Sequence, residues 1–287
     1  MRHILLGCSL LLLSSLQAQD WYRGAFIILD QSGEVEVSDH LGVMHKAFPD
    51  SKMIRPGNAA ISTADGGELL ILNSNKVVLA LEGAGELSYE RFNQISDASK
   101  QTDVVSGKSR MILELKIGRL VIDSSRHAVD SHIVLETPFG RLTLSMKSLF
   151  SISISENEKR KRFNLEIECS KGNASFVDRK GDQYKLYSGQ RLSGYSKEGS
   201  LALGFSQLSD SSRSIFKQYD QRLSSLDLVQ FDYEIFKPHM NLIWENDHSK
   251  DTLQEASDSS LRSKHPIVIE VAPPPAPTLP IRAIKRR

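Results

Sequence analysis

The stretch Leu135–Ser155, LETPFGRLTLSMKSLFSISIS, alternates from Leu142 onward. Its even positions are Leu142, Leu144, Met146, Ser148, Phe150, Ile152 and Ile154, and its odd positions are Thr143, Ser145, Lys147, Leu149, Ser151, Ser153 and Ser155. A period of two puts successive side chains on opposite faces of extended backbone. One face is therefore expected to meet a core and the other, rich in hydroxyls, to meet water. As a single strand the run from Leu142 would reach about 47 Å at 3.4 Å per residue, whereas strands average about five or six residues. The polar Ser148 interrupts the inward row. A bend or bulge near Lys147–Ser148 is predicted, dividing the ribbon into two strands.

The same signals extend on both sides. Between Ala25 and Gly204, short apolar runs are punctuated by turns at Ser32–Gly33, Pro56–Gly57 and Asn73–Ser74–Asn75. The segment SRMILELKIGRLVIDSS reads as Ile112–Ile117, a break at Gly118, then Leu120–Ile122. No amphipathic helix pattern falls in this stretch. The fold class expected is all-β: a sandwich, barrel or solenoid-like stack of short, mainly antiparallel strands. After Gly204, Ile215, Tyr219, Leu223 and Leu226 recur at helical spacing behind Ser and Asp residues that can cap, predicting one helix over about Ser211–Leu223.

The ends carry different information. Met1–Ala18 has a short basic start, an apolar run over Ile4–Leu13 and small residues up to Ala18, the layout of a secretory signal peptide. Leu5–Cys8 resembles a lipoprotein box, but its cysteine precedes most of the apolar run. Cleavage removes Cys8 and leaves Cys169 alone, so no intrachain disulfide is expected, and its strand parity with Leu165 and Ile167 reads as a small buried apolar residue. The expected organisation is a leader at 1–18, a β domain at 20–204, a helical or irregular extension at 205–246, and a disordered Pro-rich basic tail at 247–287. The expected compartment is periplasmic or extracellular, with no transmembrane span left after cleavage.

The 287 residues carry a formal net charge of +1, which argues against a chain built to coat nucleic acid. Two local concentrations of positive charge stand out: Lys159, Arg160, Lys161 and Arg162, read as a hairpin tip, and Arg282, Lys285, Arg286 and Arg287 at the end of the tail. These are the candidate partner-binding residues, suited to an anionic wall polymer or an envelope protein.

Three stretches resemble the FecR-type periplasmic domain, named after the iron-dicitrate sensor regulator. The stretch Gly33–Gln94 is similar to its opening strand, charged loop, glycine-marked turn, Thr-centred strand end and strand pair on an Asn turn, with Gly57, Thr63, Asn75 and Phe92 at matching points. Residues 113–154 resemble its glycine-started strand, Thr137–Pro138 pair and run ending in Phe. Residues 167–195 resemble its closing unit, with Gly172 and Ser188–Gly189–Gln190. Where the family commonly has Arg-Gly-Thr before the Phe, this chain has Met146–Lys147–Ser148–Leu149, and a differently shaped bend is expected. Sigma-regulating members carry a cytoplasmic arm and a membrane span ahead of the β domain. Only Met1–His3 precede the apolar run here, so the resemblance implies an exported module without that arm.

Motifs of catalysis are missing from the pattern: G-x-S-x-G, H-E-x-x-H, C-x-x-C and the P-loop do not occur. His127, Asp130 and His132 could gather around zinc but read as a polar loop; His40 and His45 flank an exposed loop, and His239 has no evident partner. Glu68, Glu82, Glu86 and Glu90 are the acids a glycosidase would draw on, at separations the sequence does not fix. Asn173–Ala174–Ser175 is a glycosylation sequon, relevant only in a eukaryotic host. The expectation is a non-enzymatic, cofactor-free envelope module that binds, senses or scaffolds. The alternative is a carbohydrate- or peptidoglycan-active enzyme on a β scaffold, or a sensor serving a separate membrane partner.

Overall fold

The computed structural model describes residues 21–39, 41–56, 58–95, 108–126, 131–145, 147–157, 162–197, 200–224 and 242–243. All lie in the first of two compact units, 1–248. The leader, the tail and Gly57 lie outside the described residues.

In chain order the strands are β1 (Trp21–Arg23), β2 (Ala25–Ser32), β3 (Val35–Ser38), β4 (Met44–Lys46), β5 (Asp50–Pro56), β6 (Ala60–Thr63), β7 (Glu68–Asn73), β8 (Val78–Ile95) and β9 (Ser109–Asp123). They continue as β10 (His132–Thr137), β11 (Gly140–Leu144), β12 (Leu149–Asn157), β13 (Arg162–Lys171), β14 (Asn173–Asp178), β15 (Gln183–Tyr187), β16 (Gln190–Lys197) and β17 (Ser200–Gln207). Helix α1 (Asp210–Ser224) and the short β18 (Leu242–Ile243) follow. Among the described residues the chain is thus mostly strand, as the alternation predicts, with one helix where the helical spacing falls.

The pairings form two runs. The first orders β5, β2, β7, the start of β8, the end of β9, β12, β13, β16 and β17. The second orders β4, β3, β6, the remainder of β8, the start of β9, β10, β11, β14 and β15. β10 lies parallel to β9, and the other registered pairings are antiparallel. One buried cluster draws on both runs: Phe26, Ile71, Leu79, Ile122, Ile152 and Ile167 from the first, Val37, Ile61, Leu87, Leu113, Leu142 and Phe176 from the second. Two facing layers around a shared core are therefore what the period-two rows build.

β8 and β9, at 18 and 15 residues, are longer than the short strands expected. Both pass from one layer into the other. Gly118, read from the sequence as a break, is where β9 bends instead of ending. The β8–β9 register shifts between Glu82 and Glu86, beside Gly83 and Gly85, and Gly118 stands opposite with φ of 104°.

The opening ribbon also changes layers. β11 pairs with β10 and β14 in the second layer, and β12 pairs with β9 and β13 in the first. The division predicted near Lys147–Ser148 is there. Lys147 takes a left-handed φ of 55°, and the ladder has a bulge between Leu149 and Phe150. Ser148 is buried, donates its hydroxyl to Ser145 O at 2.7 Å and lies 2.8 Å from Ser124 Oγ. The bend thus satisfies its polar group internally.

The expectation that the odd row meets water is overturned at two positions. Leu149 and Ser151 are buried, because α1 lies on that outer face. A second apolar cluster joins Ile27, Leu70, Leu72, Val78, Ala80, Val121 and Leu149 of the sheet to Phe216, Tyr219 and Leu223 of α1. Burying each of those three helical side chains contributes roughly 1.5–3 kcal/mol. The spacing read from sequence is right for Tyr219 and Leu223, but Phe216 is buried more deeply than Ile215, and Leu226 lies outside the described residues. Ser209 caps the helix, accepting from Ser212 N at 3.1 Å. Arg222 in the last turn pairs with Asp30 at 2.7 Å and with Glu68, and it also suits the negative end of the helix.

Candidate interaction surface

β12 and β13 form a hairpin whose last registered pair is Asn157 with Arg162. β16 and β17 form another, closing at Lys197 and Ser200. Because Phe163 pairs with Ser196 and Asn164 with Tyr195, the two hairpin ends stand side by side. They also extend past the last contact of β12 with β9, at Ile154 and Gly118. Two aromatic side chains on this projection are partly exposed. Phe163 is 39% exposed and Tyr195 42% exposed, although the parity of Phe163 is that of the core residues Leu165 and Ile167.

The projection is ordered by ring contacts. The Arg162 guanidinium lies 4.6 Å from the centre of the Tyr195 ring, a cation–π contact contributing about 0.5–1 kcal/mol at an exposed site. Phe163 meets Phe139 of the β10–β11 turn at 6.3 Å, with the rings tilted by 60°. That turn is tied by Thr137, whose hydroxyl donates to Gly140 O at 2.8 Å. A buried Arg162 Nε has no acceptor. The combination is a cation held over an aromatic ring on the outer face of the hairpin ends, with Phe163 on the opposite, inward face, and it can present fixed positive charge to an acidic group.

Of the predicted binding residues, Arg162 is placed here. Lys159, Arg160 and Lys161 precede it in the chain but lie outside the described residues, as do Arg282, Lys285, Arg286 and Arg287. Sequence reading did not single out Phe163 and Tyr195. Their signal would have been an aromatic at each hairpin end, next to the basic run.

The outer face of the first layer carries the acids. Glu68 and Glu82 are directly paired on β7 and β8. Burial raises the Glu82 carboxyl, Arg119 at 3.3 Å opposes that, and the charge of Glu68 adds to it. Glu68 is itself held by Arg222. On β13, burial raises the Glu166 carboxyl against the pull of Arg191 at 2.7 Å, and neighbouring Glu168 raises it further. Glu168 is buried and accepts the Ser212 hydroxyl at 2.5 Å. Glu82 and Glu166 stand three strand spacings apart, about 14 Å, beyond the reach of a glycosidase pair. The close pairs, Glu68–Glu82 and Glu166–Glu168, are engaged by arginines and by the helix cap. Their chemistry is that of a fastened sheet face and helix.

The remaining candidates are dispersed. Glu86 is exposed near Lys116, and Glu90 accepts from Ser88 at 2.9 Å. His132 opens β10 as an exposed residue, while His127, Asp130, His40 and His239 lie outside the described residues. His45 is bonded to Asp39 at 3.0 Å. Among the described residues no group of three or more His, Cys, Asp or Glu could hold a metal ion. Cys169 is fully buried, and burial pushes its thiol up to about 12, which is the wrong direction for a nucleophile. Among the described residues no helix is long and apolar enough to cross a membrane.

The residues that carry the family resemblance have structural work. Thr63 Oγ1 donates to Gly83 O at 2.5 Å beside the β8 bend. Asn75 Nδ2 donates to Ser109 Oγ at 3.0 Å, joining the β7–β8 turn to β9. Phe92 is buried, and Gly189 N donates to Cys169 O at 2.8 Å where β15 gives way to β16.

No family model matches the chain, and no curated protein matches it. Solved structures do. Two crystal structures, each titled a "putative anti-sigma factor" from Parabacteroides distasonis, superpose with TM-scores of 0.40. The first is 9% identical, covering 55% of this chain and 64% of that one, so the match spans less than two thirds of its length. The second is 10% identical, covering 70% of this chain and 90% of that one.

Proposed function

We propose that this chain is an exported, non-enzymatic FecR-like module of the periplasm or extracellular space, which binds an acidic partner through the β12–β13 tip. The observation that carries this reading is Arg162 held over the exposed Tyr195 on the outer face of the tip. Three further cations, Lys159, Arg160 and Lys161, adjoin it in sequence. A positioned cation loses less side-chain freedom on binding than a loose one. The leader-like Met1–Ala18 supports export, and the FecR-type motifs support a sensing or scaffold role in the envelope. An anionic wall polymer or an acidic protein fits the tip.

The alternative of a glycan- or peptidoglycan-active enzyme needs two free carboxyls across a cleft. The paired acids of the sheet face are bound to Arg119, Arg191, Arg222 and Ser212 instead.

The test is retention of the leaderless chain on immobilised polyglutamate, eluted with salt. Retention that falls steeply with salt, and drops in the combined Lys159→Ala, Arg160→Ala, Lys161→Ala and Arg162→Ala variant, is expected. Salt-independent retention, or a variant eluting with the parent, would overturn the tip as the contact surface.

A further inference from the structure

Sheet edges expose unpaired N–H and C=O groups, and proteins guard them with short strands, charge or proline. Among the described residues five strands pair on one side only: β4, β5, β15, β17 and β18. Four of them carry such guards. β18 has two residues and β4 three, with His45 and Lys46. β5 contains Lys52, Arg55 and Pro56, and β15 contains Lys185. β17 has none. It runs eight residues, SLALGFSQ, without a charge or a proline.

Its two faces are also compatible with a copy of themselves. Leu201, Leu203 and Phe205 face inward and are only partly buried against the core. Ala202, Gly204 and Ser206 face outward and are exposed. They are small and neutral, and a Cβ added at Gly204 would meet nothing within 4 Å.

We propose that β17 pairs antiparallel with β17 of a second copy of this chain, extending the first layer across a two-fold axis centred on Leu203. Antiparallel pairing of identical strands is two-fold symmetric by construction. Centring on Leu203 keeps the faces in phase: Leu201 meets the second copy's Phe205, Leu203 meets itself, and Ala202 meets Gly204. Half-exposed apolar side chains are covered, and no like charges are brought together. Shifting by one residue would set apolar side chains against the outer face. This edge adjoins the basic tip, since Ala202 pairs with Tyr195, but its test leaves Lys159–Arg162 intact and the tip's test leaves β17 intact, so either reading can fail without the other. An edge-to-edge contact belongs to the small interface class, below about 1,200 Å², and a micromolar dissociation constant is expected.

Sedimentation velocity of the leaderless chain over a concentration series tests this. A reversible monomer–dimer equilibrium is expected, weakened at least about tenfold by Gly204→Lys, with the circular dichroism and melting temperature of the parent retained. The combined Ala202→Cys and Gly204→Cys variant, gently oxidised, should give a covalent dimer through the predicted register. A parent that stays monomeric throughout, as it would if this edge receives an extended peptide of another protein, overturns the proposal. So does a dimer that is indifferent to Gly204→Lys and is not trapped by the cysteines.

Discussion

Gly118 of β9 sits directly on Gly85 of β8: a Cβ placed at Gly118 would come within 2.6 Å of the Gly85 Cα. Two long strands pass together from one layer to the other at this point; Gly118 cannot carry a side chain there, and a Cβ at Gly85 would press on Leu81 and Thr63 at 3.0 and 3.1 Å. The φ of 104° at Gly118 is itself a backbone state that L residues rarely adopt. Gly118→Ala should therefore destabilise the fold by about 2–4 kcal/mol, from backbone strain together with the forced separation of the strands. Urea unfolding measures it. A loss under about 0.5 kcal/mol, the size expected of an ordinary surface substitution, would mean the strands do not bend in contact.

A second crossing between layers is held by a residue that resists it. Lys147 has a φ of 55° with a side chain that gains nothing from the left-handed region. That conformation costs roughly 1–2 kcal/mol for an L residue, while glycine there loses about 0.5–1 kcal/mol through the freedom of the unfolded chain. Lys147→Gly should raise stability by up to about 1 kcal/mol, which denaturant unfolding can resolve. A loss of stability would show that the lysine side chain contributes more than its backbone costs.

These two bends also mark where the sequence could and could not be read. Alternation identified the core rows, since a two-residue period allows one inward set for each register: Leu142, Leu144, Phe150, Ile152 and Ile154 are all buried. Glycine is ambiguous in the same pattern. Gly118 satisfies a break and a bend equally well, and which one forms depends on partner strands distant in sequence. The outer face was misread at Leu149 and Ser151 because covering by α1 is a tertiary event. Leu149 gave a hint as the single large apolar residue in a row of hydroxyls and Lys147. For the candidate surface, charge run and hairpin were legible at Arg162. The exposure of Phe163 was not, since its parity is inward.

The turn before β4 offers a pH-dependent check on local electrostatics. Asp39 accepts from Leu41 N at 2.8 Å and Val43 N at 3.0 Å through Oδ1, and Oδ2 lies 3.0 Å from His45 Nε2. The His45 contact first, and then the Val43 amide, hold the Asp39 carboxyl down at about 2. A carboxylate depressed in the folded state stabilises above its ordinary value, and that contribution is lost as pH falls through the depressed one. The turn should keep its geometry down to about pH 4 and loosen progressively towards about pH 2. Because the Asp39 side chain is partly exposed, the effect is local and weakened by salt. The amide resonances of Leu41 and Val43 should titrate together over that window, whereas in Asp39→Asn they should be flat. Resonances that titrate instead near the ordinary carboxylate value, or persist in titrating in the variant, would show that Asp39 does not organise the turn.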